Sequence, residues 1–279
     1  ESRNDGSNRG VAARRFDASG NPIGSEFVVN TYTTGYQRLG HLAVEGNGDF
    51  VAVWGDYNNR DGSGSAIFGQ RFDASGNPLG SEFQVNSDTT GPQYFPSVSV
   101  SPAGGFVVAW TSQFGDGDGY GLLSRRFDAS GNAVGNDFVV NTSTTGDQKS
   151  YFGQVAHDAG GNFVVTWEGP GYGNDDGTFA QRFSATGARR GAEFQVNTFT
   201  TARQRRPSVA TDAVGNFVVA WDSAGGQDGS NYGIFAQRFG GLLPAALAVD
   251  PFAGPISDGN GVYEGGETAT VAPSWRNVN

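Results

Sequence analysis

The chain has 279 residues and a formal charge of −10, and an acidic surface of that kind repels phosphate backbones, which excludes nucleic acid as a partner. It has no cysteine, so disulfide scaffolds and thiolate metal sites are excluded, and no apolar run reaches the roughly 18 residues of a membrane span. Its 45 glycines and 16% charged residues favour turns and strands over helices.

In chain order, the first landmark is Arg15–Asn21, reading Arg-Phe-Asp-Ala-Ser-Gly-Asn. It returns at Arg71–Asn77 and Arg126–Asn132, degenerates at Arg182–Ala188 and is cut short after Arg238-Phe239. Phe16, Phe72, Phe127, Phe183 and Phe239 stand 56, 55, 56 and 56 residues apart. A second landmark, Phe-Val-Val-Ala-Trp and its variants, ends at Trp54, Trp110, Trp167 and Trp221, spaced 56, 57 and 54 residues apart. Two markers with nearly one period define a tandem repeat.

One copy reads as four strands. From Gln204 onward, Pro207–Thr211 is a short strand and Asp212–Asn216 a turn whose Gly and Asn tolerate positive φ. Phe217–Trp221 is apolar without alternation, as in a strand buried on both faces. A Gly- and Asp-rich loop, Asp222–Tyr232, leads to a third strand, Gly233–Phe239. The fourth strand reads Glu26–Asn30, Glu82–Asn86, Asp137–Asn141 and Glu193–Asn197 in the other copies. Four short antiparallel strands per repeat imply an all-β fold, a β-propeller of about five four-stranded blades over residues 1–241. Residues 242–257, with Pro244, Pro251 and Pro255, read as a linker. Residues 258–279, with a strand-like Glu267–Trp275, read as the start of a second β domain or a docking strand.

The tandem copies of Phe-Asp-Ala-Ser-Gly-Asn, Phe-Gln-Val-Asn-Thr and Phe-Val-Val-Ala-Trp resemble repeats of large bacterial secreted and cell-surface proteins. They are loosely similar to FG-GAP propeller repeats, whose loops can hold calcium. Asp258-Gly259-Asn260-Gly261 followed by Gly266-Glu267-Thr268 resembles the opening of bacterial immunoglobulin-like domains. The resemblance implies an extracellular or cell-surface protein with adhesive, ligand-binding or structural roles.

Each copy has an Asp-Gly after the second strand, at Asp5, Asp61, Asp116, Asp176 and Asp228, and the richest loop adds Asp118. Turn chemistry explains these residues, and calcium, which wants several oxygens, is the functional alternative. Asp258, Asn260 and Glu267 form a similar but incomplete set. Arg15, Arg71, Arg126, Arg182 and Arg238 read either as ties to the next blade or as a ring of anion-reading guanidinium groups. Tyr36, Tyr94, Tyr120, Tyr151, Tyr172 and Tyr232 suit either blade edges or stacking on sugars. The two histidines, His41 and His157, occupy unrelated repeat positions, and no nucleophile elbow or zinc-protease motif appears. The expectation is therefore a non-enzymatic extracellular binding or adhesion module for a glycan or surface protein. The alternative is a structural subunit of a surface layer or filament, self-associating through its C-terminal strand.

Overall fold

The computed structural model describes Gly6, residues 8–151, 154–170, 176–229 and 231–240, and the backbone of two short strands at 242–244 and 275–277. The described residues contain strands and no helix. β1 (Ala12–Phe16) and β2 (Pro22–Val28) form a two-stranded hairpin. The first blade is β3 (Gln37–Val44), β4 (Phe50–Asp56), β5 (Ala66–Phe72) and β6 (Phe83–Gln84). The second is β7 (Gln93–Val100), β8 (Phe106–Gln113), β9 (Tyr120–Phe127) and β10 (Ala133–Val139). The third is β11 (Val155–His157), β12 (Phe163–Pro170), β13 (Asp176–Phe183) and β14 (Phe194–Gln195). The fourth has three strands, β15 (Gln204–Thr211), β16 (Phe217–Ala224) and β17 (Tyr232–Phe239). All pairings follow chain order and are antiparallel.

The arrangement is an all-β propeller, and it corrects the expected blade count: the described residues form four blades, not five. The first repeat copy contributes only the outer hairpin β1–β2. The last copy stops at its third strand, because Gly240-Gly241-Leu242 replaces the turn that starts a fourth. Within the stretch read as a linker, β18 (Leu242–Pro244) pairs with β19 (Trp275–Asn277).

Neighbouring blades share apolar interfaces. Val51, Val53 and Ile67 of the first blade meet Phe106, Val108 and Trp110 of the second. Val107, Ala109 and Leu122 on the second blade's other face meet Phe163, Val165 and Trp167. The same contact recurs between the third and fourth blades. β4, β8 and β12 are therefore buried on both faces over their apolar runs. β16 is not: Phe217, Val219 and Trp221 are buried, but Val218 is 42% exposed and Ile234 on β17 is 74% exposed. Among the described residues no blade covers that side of the arc.

The repeat's punctuation has a polar logic. Asp73 accepts hydrogen bonds from the Ser75 and Asn77 N–H groups and from the Asn77 amide, and Gly76 takes a φ of 86° to close the turn. Asp128 repeats this with Ser130 and Asn132, while Ser184 in the degenerate copy bonds only the Ala188 N–H and Thr186 hydroxyl. Arg15, Arg71 and Arg126 donate to the carbonyls of Ala74, Ser130 and Ala185 on the next blade, at 2.8, 2.8 and 3.2 Å. These three arginines are inter-blade ties.

Two predictions follow from this packing. Trp110 is fully buried and its indole N–H donates to Gln93 Oε1 at 2.8 Å, so Trp110→Ala lowers unfolding stability by about 3–5 kcal/mol. Val218→Ala, on the uncovered face, changes it by less than about 1 kcal/mol, and denaturant titration distinguishes the two. His157 lies between blades with its Nδ1 2.9 Å from Ser99 Oγ. Burial pushes its pKa down from 6.5 to about 4, the Asp158 charge opposing. The unfolded chain binds this proton first, so His157's contribution is whole above the unfolded pKa and falls as acidification proceeds towards the folded one. The loss is about 2–3 kcal/mol, and His157→Gln flattens most of that slope in melts across this pH range.

Candidate functional site

The first strands of the blades, β3, β7, β11 and β15, run side by side through the middle of the arc. The loops between second and third strands and the links between blades gather on one face, and the short Asp–Asn turns lie on the other. On the loop face, the residue after the buried glutamines Gln37, Gln93, Gln148 and Gln204 varies among copies: Arg38, Tyr94, Lys149 and Arg205. Function needs such departures, since a repeated residue serves the packing that every blade shares.

Phe95 and Arg206 occupy the same step of β7 and β15, each before a proline and each with positive φ, 52° and 51°. The register of both strands slips there. A non-glycine residue held so is strained, and a bulge re-aims what it carries. Phe95 is turned onto Tyr151, ring centroids 4.7 Å apart. The rings continue through Tyr94, 5.9 Å from Phe95, to Tyr57, 5.9 Å from Tyr94, and to Tyr120, 6.3 Å from Tyr94. Arg38 caps Tyr57 at 4.3 Å and Lys149 caps Tyr120 at 4.4 Å. All of these rings are half-buried, so they present edges and faces to solvent.

This row ends at a cavity of about 340 Å³ between the third and fourth blades, lined by Tyr151, Glu168, Arg205 and Arg206. Glu168 is 6% exposed and its Oε2 accepts the Arg206 N–H at 2.8 Å. Burial raises its pKa, and the charge of Asp176 raises it further against the pull of the Arg206 N–H, Arg205 and Arg206. Asp176 is clasped by Arg205, with Nε at 2.6 Å and Nη2 also in contact. Pro170 pairs with Asp176 and Glu168 with Thr178, so Glu168 and Asp176 are diagonal neighbours on one face of β12–β13. On that face too, Thr166 Oγ1 and both polar atoms of the Gln154 amide are buried without partners among the described residues. Glu168, with its pKa raised by burial, thus stands beside a second carboxylate fixed by arginine, and perturbed acids of this kind cluster at functional sites.

Of the expected sugar-stacking tyrosines, the structure brings Tyr94, Tyr120 and Tyr151 into this row. Tyr36 lies apart beside Asn58, Tyr232 is 75% exposed on β17, and Tyr172 falls outside the described residues. The expected calcium residues do not converge: among the described residues no three acidic or histidine side chains gather as metal ligands. Asp61 accepts from the Asn86 amide and Ser63 N–H, and Asp116 from the Asn141 amide. Asp118 accepts from the Gly146 N–H, Asp176 holds Arg205, and Asp228 sits against Gly233 in its own hairpin. Asp5, Asp258, Asn260 and Glu267 fall outside the described residues. Sequence reasoning missed Tyr57, Phe95, Glu168, Arg205 and Arg206. One signal was present for Glu168: the other copies place Gly55, Thr111 or Asp222 after the tryptophan.

No protein-family model matches the chain, and no curated protein matches it in sequence. Solved structures do match in fold. The Penicillium chrysogenum α-L-arabinanase complexed with arabinobiose aligns at 14% identity and a TM-score of 0.53, over 73% of this chain and 62% of that one. The GH93 α-L-arabinofuranosidase of Fusarium graminearum, with arabinobiose, aligns at 12% identity and 0.52, over 72% and 61%. A protein of unknown function from Dyadobacter fermentans aligns at 13% and 0.51, over 73% and 65%. The chain thus spans less than two thirds of each of these proteins. The likeness shows the propeller fold, and it corrects the expectation of a non-enzymatic adhesion module or surface-layer subunit. Two of these neighbours are an arabinanase and an arabinofuranosidase on this scaffold, and the chain departs from its own repeat at Glu168. No helix among the described residues is long and apolar enough to cross a membrane.

If Glu168 is buried at a cost to the fold, Glu168→Gln relieves it while keeping an oxygen for the Arg206 N–H. A raised carboxyl pKa means that stability falls as pH rises through the usual glutamate range. The variant is therefore expected to melt at or above the parent at pH 7, with the difference closing near pH 4; a lower melting temperature at pH 7 contradicts the assignment.

Proposed function

We propose that the chain is the sugar-binding and catalytic part of a glycan-processing propeller enzyme, cleaving glycosidic bonds in the loop-face cleft. The observation that carries this is the aromatic row leading from Tyr57 through Tyr94 and Phe95 to Tyr151, which ends at the buried Glu168. An aromatic face offers a sugar ring an apolar surface while its edges leave hydroxyls to bond with water and side chains. A row of them suits a chain of sugars. Glu168, whose pKa burial raises, gives its proton to the leaving oxygen as the glycosidic bond breaks; Asp176, positioned by Arg205, takes a proton from the water that attacks the anomeric carbon. Diagonal neighbours across a sheet stand about 7–8 Å apart at the backbone. The pair is assigned here the inverting arrangement, in which carboxyls about 6.5–9.5 Å apart leave room for a water. An extracellular or cell-surface setting, where polymeric glycans are met, belongs to the same proposal.

Arabinan and arabino-oligosaccharides are the first substrates to try, because the arabinanase and the arabinofuranosidase that share the fold were both solved with arabinobiose. Reducing ends are expected to accumulate on one polysaccharide of a panel, and proton NMR of the fresh product is expected to show inverted configuration. Glu168→Gln reduces turnover by at least about a hundredfold with KM little changed. Cleavage that survives Glu168→Gln, or a folded protein inert on the whole panel, contradicts the proposal.

A further inference from the structure

The opposite face carries a different cavity, of about 390 Å³, at the junction of the third and fourth blades. Its origin lies in the repeat. Arg15, Arg71 and Arg126 each lie across the turn glycine of the next blade, Gly76, Gly131 and Gly187, and bond a carbonyl 59 residues further on. The same offset from Arg182 falls on Gly241, where the Asp-Ala-Ser-Gly-Asn turn is not encoded. Arg71 and Arg126 are half-buried, whereas Arg182 is exposed: its carbonyl accepts from the Arg190 N–H and the Gln181 amide, but its guanidinium has no hydrogen-bond or ion-pair partner among the described residues. Arg190 lines the same cavity and is likewise exposed, its guanidinium unpartnered there.

The floor is aromatic. Phe163 and Phe183 stack at 4.9 Å, as do Phe217 and Phe239, and the two pairs line the cavity. The carboxylate on its wall, Asp158, is turned onto its own hairpin, accepting both the Asn162 N–H and the Asn162 amide at 2.8 Å. At the preceding junction the corresponding cavity is partly filled by Ala185 of the turn, and Arg126 is spent on that residue's carbonyl. Only between the third and fourth blades does the described structure leave two free guanidinium groups over an apolar floor.

We propose that this cavity is a second binding site, for a small planar carboxylate. The acid group lies on Arg182 and Arg190, whose planar forks match a carboxylate, and the flat body lies against the phenylalanines. The volume falls in the range of small-ligand pockets, about 300–1,000 Å³. The site is independent of the loop-face cleft and of any activity there.

Benzoate is the probe, with benzamide as its neutral near-isostere, titrated calorimetrically into the full chain. Saturable benzoate binding is expected at millimolar concentration or below, with benzamide weaker by about tenfold or more. Arg182→Ala is expected to weaken benzoate by a similar factor. The variant should stay folded, since the side chain has no partner to lose, and a circular dichroism melt checks this. Arg206→Ala, on the loop face, leaves benzoate affinity unchanged. Absence of saturable binding overturns the proposal. So does affinity that survives Arg182→Ala, or that is lost in Arg206→Ala and thereby assigned to the other face.

Discussion

The inner blades of the described structure have two apolar faces each, and such faces are unstable against water. The rest of the structure depends on neighbouring blades covering them. Burial of Val51, Val53 and Ile67 against Phe106, Val108 and Trp110 is the contact that repeats along the arc, and hydrophobic transfer supplies its free energy. Two of the buried indoles are bonded: Trp110 and Trp221 both donate to a glutamine seventeen residues earlier on the same sheet. The inter-blade arginines and the Asp–Asn turns fix how one blade meets the next. With that framework set by residues common to all copies, the few residues that differ are free to carry chemistry.

Those differing residues concentrate at the third and fourth blades. On the loop face, an arginine pair, one of them the strained bulge residue Arg206, and a buried glutamate converge on a cleft approached along a row of rings. On the turn face, the loss of one hairpin turn leaves an arginine without its tie. Both features arise from the same cause, a break in the repeat. The strain at Phe95 and Arg206 holds one ring over Tyr151 and one N–H on Glu168, and both are elements a relaxed strand would point elsewhere.

Much of the fold was legible in the sequence. Two markers of nearly one period gave the strands and turns, and Phe217, Val219 and Trp221 are as buried as the apolar run implied. The blade count was not legible, because counting landmarks cannot tell whether the partial first and last copies combine. They do not, and Val218, read as a core residue, faces solvent. Of the site, the tyrosines were visible by type, and three of them meet. Glu168 was hidden by its setting: a glutamate one residue past an apolar run reads as the strand's polar end. Only the third dimension shows that the next blade closes over it. Phe95 and Arg206 read as ordinary strand residues, since a bulge leaves no mark in a pattern of apolar alternation. Asp61 and Asp116, two of the candidate calcium ligands, accept from the asparagines that end the fourth strands, a partnership across 25 residues that spacing alone does not reveal.

A crystal structure of the full chain as Glu168→Gln, soaked with an arabino-oligosaccharide, tests the central claim most directly. Sugar rings lying on Tyr94, Phe95 and Tyr151, with a glycosidic oxygen against residue 168, are what the account predicts. Sugar bound on the turn face or on the uncovered side of the fourth blade, with the loop-face cleft filled by water alone, contradicts it.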